Sequence, residues 1–381
     1  MNICIVTSSF PVNRNELYHR YLDELFAMLL EKGHAVTVLT QEKEGSKGTF
    51  HPQVEVIWFP WKKAGNKALA DISLSESRNI FSAMSLLFNG IKYCRSVGKE
   101  KKIDLFICQW VIPSGFYVFA KNILFKRTPY IVWALGSDIY NYKDNMFTRF
   151  LLRSIIKPSK AIFADGFELC DIVKKISGRE CGFLPTFHKI DPPAVTAEET
   201  RIPGKEITFL YIGRLSRVKG VDVLIESFKL LQKEKDFNFK CYIIGEGEMM
   251  QTLTDEVTKH KLNEKIVFLG KITDEKEKAR YFNLADCILI PSRSESIPIV
   301  LSEAVQFGRP VITTTAGDME LLVKKYNLGL VAEKENPASL ADQMKKFMER
   351  PLHISAADRQ ALLTTLLFES SSAKLLSEIS L

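Results

Sequence analysis

Short apolar runs alternate with longer amphipathic stretches along most of this 381-residue chain. Short apolar runs are typical of strands buried in a parallel sheet, and apolar positions three or four residues apart are typical of the helices that cover it. The predicted strands of the first half are Ile3–Thr7, Ala35–Thr40, Ile103–Cys108, Tyr130–Ala134 and Ala161–Ala164. A predicted helix from about Asn15 follows the first strand and ends at Gly33. Strand, loop, helix and strand in this order predict a Rossmann-like half.

A second series of the same kind begins after a segment rich in Pro, Thr and Glu, which predicts an interdomain linker. Its predicted strands are Ile207–Ile212, Cys241–Ile244, Ile266–Leu269, Cys287–Ile290 and Val311–Thr314. The pattern therefore predicts an α/β protein with two Rossmann-like domains. The predicted boundaries are an N-terminal domain over residues 1–185, a linker over 186–205, a C-terminal domain over 206–355 and a helical tail over 356–381.

The segment from Ala285 to Thr315 is the most informative one in the chain. Its pattern predicts a strand, a loop, a helix with Pro298 in the first turn and Gly308 just past the end, and a second strand. Glu295 lies in the loop and Glu303 lies eight residues later, inside the helix. A helix start offers free backbone N–H groups that suit a phosphate, and an acid beside it suits the hydroxyl groups of a sugar nucleotide. The alternative is that both glutamates are ordinary solvated helix acids.

A second candidate site follows the predicted strand Ile207–Ile212, where the sequence is Gly-Arg-Leu-Ser-Arg-Val-Lys-Gly. Arg214 offers a planar fork of donors and Lys219 a point charge, and both suit a pyrophosphate. Both residues lie in a strand-to-helix loop, at the carboxyl edge of the sheet where α/β proteins bind ligands. Alternatively, the two cations are only solvated.

Together these segments resemble glycosyltransferases of the family 4 type, which are retaining enzymes of the GT-B fold. The family pattern G-R-L-x-x-x-K-G is matched in full by residues 213–220. The pattern E-x-x-P-x-x-x-x-E-A is matched by Glu295, Pro298, Glu303 and Ala304. The resemblance is strong over about residues 207–322 and extends to the first half only in layout. It implies two Rossmann-like domains that face each other across a cleft.

The resemblance also implies roles for individual residues. Glu295 would reach the donor sugar, Glu303 would hold the nucleotide ribose, and backbone amides of the loop would hold the donor phosphates. The predicted catalytic residues are Glu295, Arg214 and Lys219. The predicted donor-binding residues are Glu303, Gly213, Ser296, Ile297, Pro298, Ile299, Ile272, Gly245, Ser8 and Ser9. For Ser8 and Ser9, simple helix capping is an equal alternative, and the first loop lacks G-x-G-x-x-G.

Acceptor binding is predicted for Gly136 and Asp138. Family members often carry H-G-x-D after the corresponding strand, and Gly136 and Asp138 match this pattern, whereas Leu135 stands where the histidine would be. We therefore assign no imidazole role. Asp138 would orient an acceptor hydroxyl group, or it would form an Asx turn before a helix.

Charge distinguishes the two halves. Residues 1–185 contain 25 Lys and Arg against 17 Asp and Glu, whereas the remainder contains 27 against 28, so the basic excess lies entirely in the first half. This excess suggests an anionic partner or membrane surface, or an inert solubilising surface. The stretch from Trp61 to Lys102 interleaves cations with apolar residues and predicts either an interfacial segment or a core helix with a solvated basic face.

Seven scattered cysteines without a C-x-x-C pair predict reduced, buried thiols in a cytosolic protein. No apolar run approaches the length of a membrane helix, and the chain opens on a predicted strand rather than a signal peptide. We therefore expect a cytoplasmic protein, with peripheral contact at the inner face of the membrane as a further option. No nucleic-acid partner is expected.

The chain contains no Asp-x-Asp, the usual carrier of a catalytic metal in sugar-nucleotide chemistry, so the prediction is a metal-independent enzyme without a cofactor. The favoured function is retaining transfer of a hexose or N-acetylhexosamine from a nucleoside diphosphate sugar, with UDP-sugar favoured. The acceptor would be a glycan or a lipid-linked glycan in the synthesis of a cell-surface polysaccharide, such as lipopolysaccharide or capsule. Two alternatives stay open, an isomerase resembling sugar-nucleotide 2-epimerases and a non-catalytic subunit that binds a nucleotide sugar.

Overall fold

The computed structural model describes residues 1–11, 21–43, 45, 50–62, 77–187, 190, 206–234 and 238–380. It divides into two compact units. The first comprises Met1–His188 together with Ser371–Leu381, and the second comprises Lys189–Ser370. The predicted linker lies almost wholly outside the described residues, so the predicted domain boundaries stay predictions.

The first unit is built on a parallel sheet with the strand order β3-β2-β1-β4-β5-β6-β7. Its strands are β1 (Asn2–Val6), β2 (Ala35–Gln41), β3 (Val54–Phe59), β4 (Leu105–Gln109), β5 (Tyr130–Ala134), β6 (Ala161–Ala164) and β7 (Gly182–Phe183). Its helices are α1 (Tyr21–Glu31), α2 (Ser77–Glu100), α3 (Phe116–Leu124), α4 (Ser137–Tyr140), α5 (Met146–Ile156) and α6 (Phe167–Ser177). A kinked turn over Val111–Gly115, in which Ile112 is extended, precedes α3.

The second unit repeats this plan with the strand order β10-β9-β8-β11-β12-β13, again all parallel. Its strands are β8 (Ile207–Ile212), β9 (Phe239–Ile244), β10 (Ile266–Gly270), β11 (Cys287–Ile290), β12 (Val311–Thr314) and β13 (Gly329–Ala332). Its helices are α7 (Val221–Leu231), α8 (Met250–Lys259), α9 (Glu275–Leu284), α10 (Ile299–Gln306), α11 (Met319–Lys325), α12 (Pro337–Glu349) and α13 (Ala356–Leu366). The last helix, α14 (Phe368–Ser380), begins in the second unit, and its residues from Ser371 onward belong to the first.

Each sheet is covered by helices on both faces, which is why its central strands are apolar at successive positions rather than at alternate ones. Every residue of β4 and of β5 is buried, and so is every residue of β11 and of β12. Polar caps set several helix starts. Asn145 accepts hydrogen bonds from Phe147 N and Thr148 N at α5, and Asp274 accepts one from Glu277 N at α9.

The predicted α/β architecture with two Rossmann-like units is confirmed, and several predicted details are wrong. Pro298 is not in the first turn of α10 but is the extended residue that precedes it. The edge strand β3 was not predicted from Val54–Phe59. Five of the seven cysteines are buried and none forms a disulfide, but Cys170 and Cys181 are only half-buried. Within the described ranges, no helix is both long and apolar enough to cross a bilayer.

Candidate functional site

The candidate site of the second unit lies where the strand order changes direction. Connections leave β8 for β9 on one side, and the chain later returns to β11 on the other side of β8. The crevice at the carboxyl ends of two such strands is where open α/β sheets bind ligands. Arg214 and Lys219 follow β8, and Glu295 follows β11, so the predicted catalytic residues lie on the two sides of this switch point.

Three glycines let the backbones of neighbouring loops at this edge come into direct contact. A Cβ atom on Gly220 would lie 1.9 Å from the carbonyl oxygen of Pro291, and one on Gly245 would lie 1.9 Å from that of Gly213. A Cβ atom on Gly317 would lie 2.1 Å from the carbonyl oxygen of Glu295. All three glycines have positive φ angles, so any side chain there would be strained as well as crowded. These contacts fix the spacing of the loops that carry the site.

Lys219 and Glu295 meet across the switch point. The Lys219 ammonium lies 2.5 Å from Glu295 Oε1, and the Ser292 hydroxyl group donates to the same oxygen over 2.8 Å. The exposed fractions of the two charged side chains are 29% and 10%, so the pair is shielded but reachable from one side. Two residues 76 positions apart in sequence thus form one partly neutralised centre beside the helix start.

Arg293 holds the loop of Glu295 in place. Its guanidinium donates to both carboxylate oxygens of Asp222, over 2.6 and 2.8 Å, and to Glu335 over 2.8 Å. Burial raises the pKa of Asp222, but the bonds from Arg293 outweigh this and hold that pKa below its ordinary value. The backbone N–H of Arg293 also donates to Val218 O over 2.8 Å. The β11 loop is therefore fastened to the β8 loop by both charge and backbone, a feature that the sequence pattern did not indicate.

Glu303 has a cationic partner that was missed in the sequence. Lys278 on α9 donates to Glu303 Oε1, and the side chains are 12% and 6% exposed. Glu303 is therefore not the solvated helix acid of the alternative interpretation. A lysine 25 positions away on a different helix carries no local signal that would point to this pairing.

The residues at the start of α10 are largely buried. Ser296, Ile297 and Pro298 are buried, and Ile299 is half-buried. The Ser296 hydroxyl group is buried without a hydrogen-bond partner among the residues that the structure describes. Buried polar atoms of this kind are uncommon in native structures and mark places where a further partner fits.

The remaining predicted donor residues of this unit lie along the same sheet edge. Gly213 and Gly245 directly follow β8 and β9, and Ile272 follows β10 by two residues and is half-buried. Arg214 is exposed, and its carbonyl oxygen accepts a hydrogen bond from the Tyr211 hydroxyl group over 3.0 Å. The structure therefore places all of these residues at one edge, with Lys219 and Glu295 in direct contact.

The first unit has a corresponding switch point between β1 and β4. Ser8 and Ser9 follow β1, and α1 as described begins only at Tyr21. Ser9 Oγ accepts a hydrogen bond from the indole Nε1–H of Trp110 over 3.1 Å, and Ser8 O accepts one from Gln41 Nε2 over 2.6 Å. These two serines are thus anchored to the residue that follows β4 and to the last residue of β2, at the carboxyl edge of the sheet.

Asp138 is buried and bonded to backbone. Its Oδ2 accepts from Val111 N over 2.6 Å and its Oδ1 from Leu135 N over 3.2 Å. Burial raises the pKa of Asp138 to about 6, although backbone N–H groups, including that of Gly136, lower it. In this structure Asp138 fastens the β5 loop to the turn after β4, as an Asx-type turn residue does.

A family model matches part of the chain. Residues 195–361 match the model described as glycosyl transferases group 1. An uncharacterized glycosyltransferase of Methanocaldococcus jannaschii is 29% identical over 266 residues, which cover 69% of this chain and 71% of that protein. TuaC of Bacillus subtilis, a glycosyltransferase whose name assigns it to teichuronic acid biosynthesis, is 28% identical over 254 residues, which cover 64% of this chain but only 61% of TuaC.

Solved structures share the fold over the whole chain. Sucrose-phosphate synthase from Thermosynechococcus elongatus superimposes with a TM-score of 0.77 at 14% identity, covering 99% of this chain and 97% of that one. HepE of Anabaena, solved in complex with UDP, gives a TM-score of 0.71 at 14% identity and full coverage of both chains. At this identity the likeness establishes the two-unit fold of the GT-B type.

Fold, site and matches agree on the class of the protein. It is an enzyme of the glycosyltransferase class, and its match to the glycosyl transferases group 1 model covers residues 195–361.

The raised pKa of Asp138 predicts how stability depends on pH. Because the folded pKa of about 6 exceeds the unfolded value of 3.8, the folded state binds the proton more tightly, and stability is lost as pH rises through this window. We expect a loss of about 2 kcal/mol in the free energy of unfolding between pH 4 and pH 6.5 from this residue alone. Urea unfolding of the native protein and of Asp138→Asn across this range measures the difference.

Asp144→Asn is the matched control, because Asp144 is exposed in the same connection. An unchanged pH slope in Asp138→Asn would show that Asp138 does not titrate with a raised pKa.

Proposed function

We propose that the enzyme transfers a hexose or N-acetylhexosamine from a nucleoside diphosphate sugar, with UDP-sugar as the favoured donor, in a retaining reaction of the family 4 type that needs no metal. The observation that carries the proposal is the Lys219–Glu295 pair at the switch point of the glycosyl transferases group 1 domain. The UDP complex of HepE, a protein of the same fold, supports the choice of nucleotide.

The leaving group determines what the cations do. When the bond between the anomeric carbon and the diphosphate breaks, negative charge grows on the phosphate oxygens. Lys219 and the exposed Arg214 border the crevice where these oxygens would lie, and the N–H groups at the start of α10 add a third source of positive potential. Fixed charges of this kind stabilise a developing anion without rearrangement during the reaction.

The two glutamates bind the donor through its hydroxyl groups. Glu295, oriented by Lys219 and Ser292, holds hydroxyl groups of the donor sugar, and Glu303, oriented by Lys278, accepts from the ribose hydroxyl groups. Same-face transfer with help from the departing phosphate explains why one carboxylate at the sugar suffices, since a double displacement needs a second one about 5 Å away. The acceptor would be a glycan or a lipid-linked glycan of a cell-surface polysaccharide, in keeping with the name of TuaC.

The first unit supports a further part of the proposal, peripheral contact with an anionic membrane. Residues 77–160 contain 14 Lys and Arg but only four Asp and Glu. The same stretch exposes large apolar side chains, at 71% for Phe81, 68% for Phe88, 78% for Phe147 and 72% for Phe150. Cations interleaved with exposed aromatic residues are the composition of an interfacial surface.

The helices that carry these side chains lie on one side of the sheet. The connections from β3 to β4, β4 to β5 and β5 to β6 all step in the same direction, and right-handed crossovers place α2, α3 and α5 in one layer. The Arg95 guanidinium lies 4.0 Å from the ring centroid of Phe125, which links α2 to the end of α3. We call this surface, with Phe81, Phe88, Phe147 and Phe150, the aromatic layer.

Nucleotide binding tests the phosphate assignment. Addition of the cognate nucleoside diphosphate should raise the melting temperature by about 3 °C or more, equally in EDTA and in magnesium, because Lys219 and Arg214 supply the charge. The measurement is thermal unfolding with UDP, GDP, ADP and CMP. Arg214→Ala combined with Lys219→Ala should remove the shift, whereas Arg217→Ala, an exposed cation of the same loop, should keep it. A shift that requires magnesium would contradict the metal-independent proposal.

Turnover tests the role of Glu295. Glu295→Gln should lower kcat by about 100-fold or more while the nucleotide-induced shift persists, because the amide keeps the shape but not the charge at the donor sugar. Release of nucleoside diphosphate from the donor sugar measures the rate, and Glu320→Gln on α11 is the control. A near-normal rate would remove Glu295 from the reaction. Formation of an epimerised donor, without any glycosylated acceptor, would favour the isomerase alternative.

Vesicle binding tests the aromatic layer. Phe147→Ser combined with Phe150→Ser should weaken binding to vesicles of phosphatidylcholine and phosphatidylglycerol by about tenfold or more, since two exposed rings no longer enter the interface. Co-sedimentation measures binding, and Leu321→Ser, which alters a side chain 56% exposed in the second unit, is the control. Equal binding of the native protein to neutral and anionic vesicles would contradict the proposed contact.

A further inference from the structure

Trp110 has a backbone conformation that a tryptophan rarely adopts. Its φ angle is 72° and its ψ angle is 127°, directly after the buried strand β4. A bulky residue at positive φ outside the left-handed helical region is a genuine outlier, and glycine, which has no Cβ atom, would be strained less at a positive φ angle. Such residues persist when the surrounding structure holds them, and they cluster at binding and catalytic sites.

Hydrogen bonds hold the backbone of Trp110 from three sides. Its N–H donates to Trp133 O over 2.9 Å, and its carbonyl oxygen accepts from Gly115 N over 3.0 Å. The next N–H, that of Val111, donates to the buried carboxylate of Asp138 over 2.6 Å. Asp138 is therefore a positioning residue for this turn, and the turn places the indole at the carboxyl edge of the sheet.

The indole lies at the switch point of the first unit. It is half-buried, and its N–H is already used by Ser9 Oγ, so what it offers a ligand is ring surface. The neighbouring groups are polar. Gln41, which holds Ser8 O, has a buried Oε1 without a hydrogen-bond partner in the described part of the chain. An oriented aromatic ring beside hydroxyl and amide groups suits a ligand with one apolar ring face and polar edges.

We propose that Trp110 is an acceptor-binding residue, whose ring stacks on the C–H face of a hexopyranose while Ser9 fixes the plane of the indole. This inference rests on the proposed function, because it takes the acceptor to be a sugar. It explains why a tryptophan occupies a backbone position suited to glycine. It also assigns Asp138 an indirect part in acceptor binding in place of the direct one predicted from the sequence.

Direct binding of small pyranosides tests the proposal without requiring turnover. The probes are methyl glycopyranosides of glucose, galactose, mannose and N-acetylglucosamine, observed by saturation-transfer NMR with saturating nucleoside diphosphate. At least one should bind the native enzyme, with saturation strongest on its ring C–H protons. Trp110→Gly should weaken its binding by about tenfold or more, whereas Trp110→Phe should stay within about threefold.

Two controls separate binding from folding. Trp110→Gly accommodates the positive φ angle, so its fold should persist, as checked by an unchanged nucleotide-induced rise in melting temperature. Trp61→Ala removes another half-buried indole of the first unit, whose N–H donates to Glu42 O, and should leave pyranoside binding unchanged.

Each remaining outcome decides between the two proposals. If pyranoside binding survives in Trp110→Gly, the assignment of Trp110 is overturned while the donor site stays intact. The same conclusion follows if the native enzyme binds none of the pyranosides. Pyranoside binding that depends on Trp110 in an enzyme that binds no nucleoside diphosphate would support Trp110 and overturn the proposed donor.

Discussion

The second unit depends on the close approach of three pairs of loops at the carboxyl edge of its sheet. Gly220 lies against Pro291, Gly245 against Gly213, and Gly317 against Glu295, each at a distance that leaves no room for a side chain. Backbone contact of this kind constrains the positions of the loops directly. This contact brings Lys219 of the β8 loop against Glu295 of the β11 loop, and the chemistry of the site depends on this ion pair.

Ion pairs orient the charged side chains of the loops that these glycines hold together. Each glutamate of the Glu-x7-Glu segment has a lysine from a different element, Lys219 for Glu295 and Lys278 for Glu303. A shielded carboxylate without such a partner would be costly, because burial disfavours its charge. Arg293 adds a third pairing by holding Asp222 in a bidentate geometry. The site therefore orients its carboxylates by ion pairs and hydrogen bonds without exposing them fully to water.

Sequence patterns predicted the elements better than the contacts between them. Strands such as Tyr130–Ala134 and Cys287–Ile290 were predicted at their observed bounds, because apolar runs and flanking turns are local signals. The edge strand β3 was missed, since a half-exposed edge carries a weaker pattern. The pairing of Arg293 with Asp222 spans 71 positions and that of Trp110 with Ser9 spans 101, and no local pattern reports such distances. The positive φ angle of Trp110 was not predicted either, because tryptophan normally adopts a negative φ angle.

The return of the last helix to the first unit has a consequence for how the chain is made. Leu375 and Ile379 are buried, and a Cβ atom on Gly182 would lie 3.3 Å from the side chain of Lys374, so the final residues pack within the first unit. During synthesis residues 1–188 leave the ribosome before the second unit, yet the first unit lacks the end of α14 until the second unit has been translated. The second unit can thus reach its native contacts while the first is still incomplete, which reverses the usual order in which the domains of a growing chain mature.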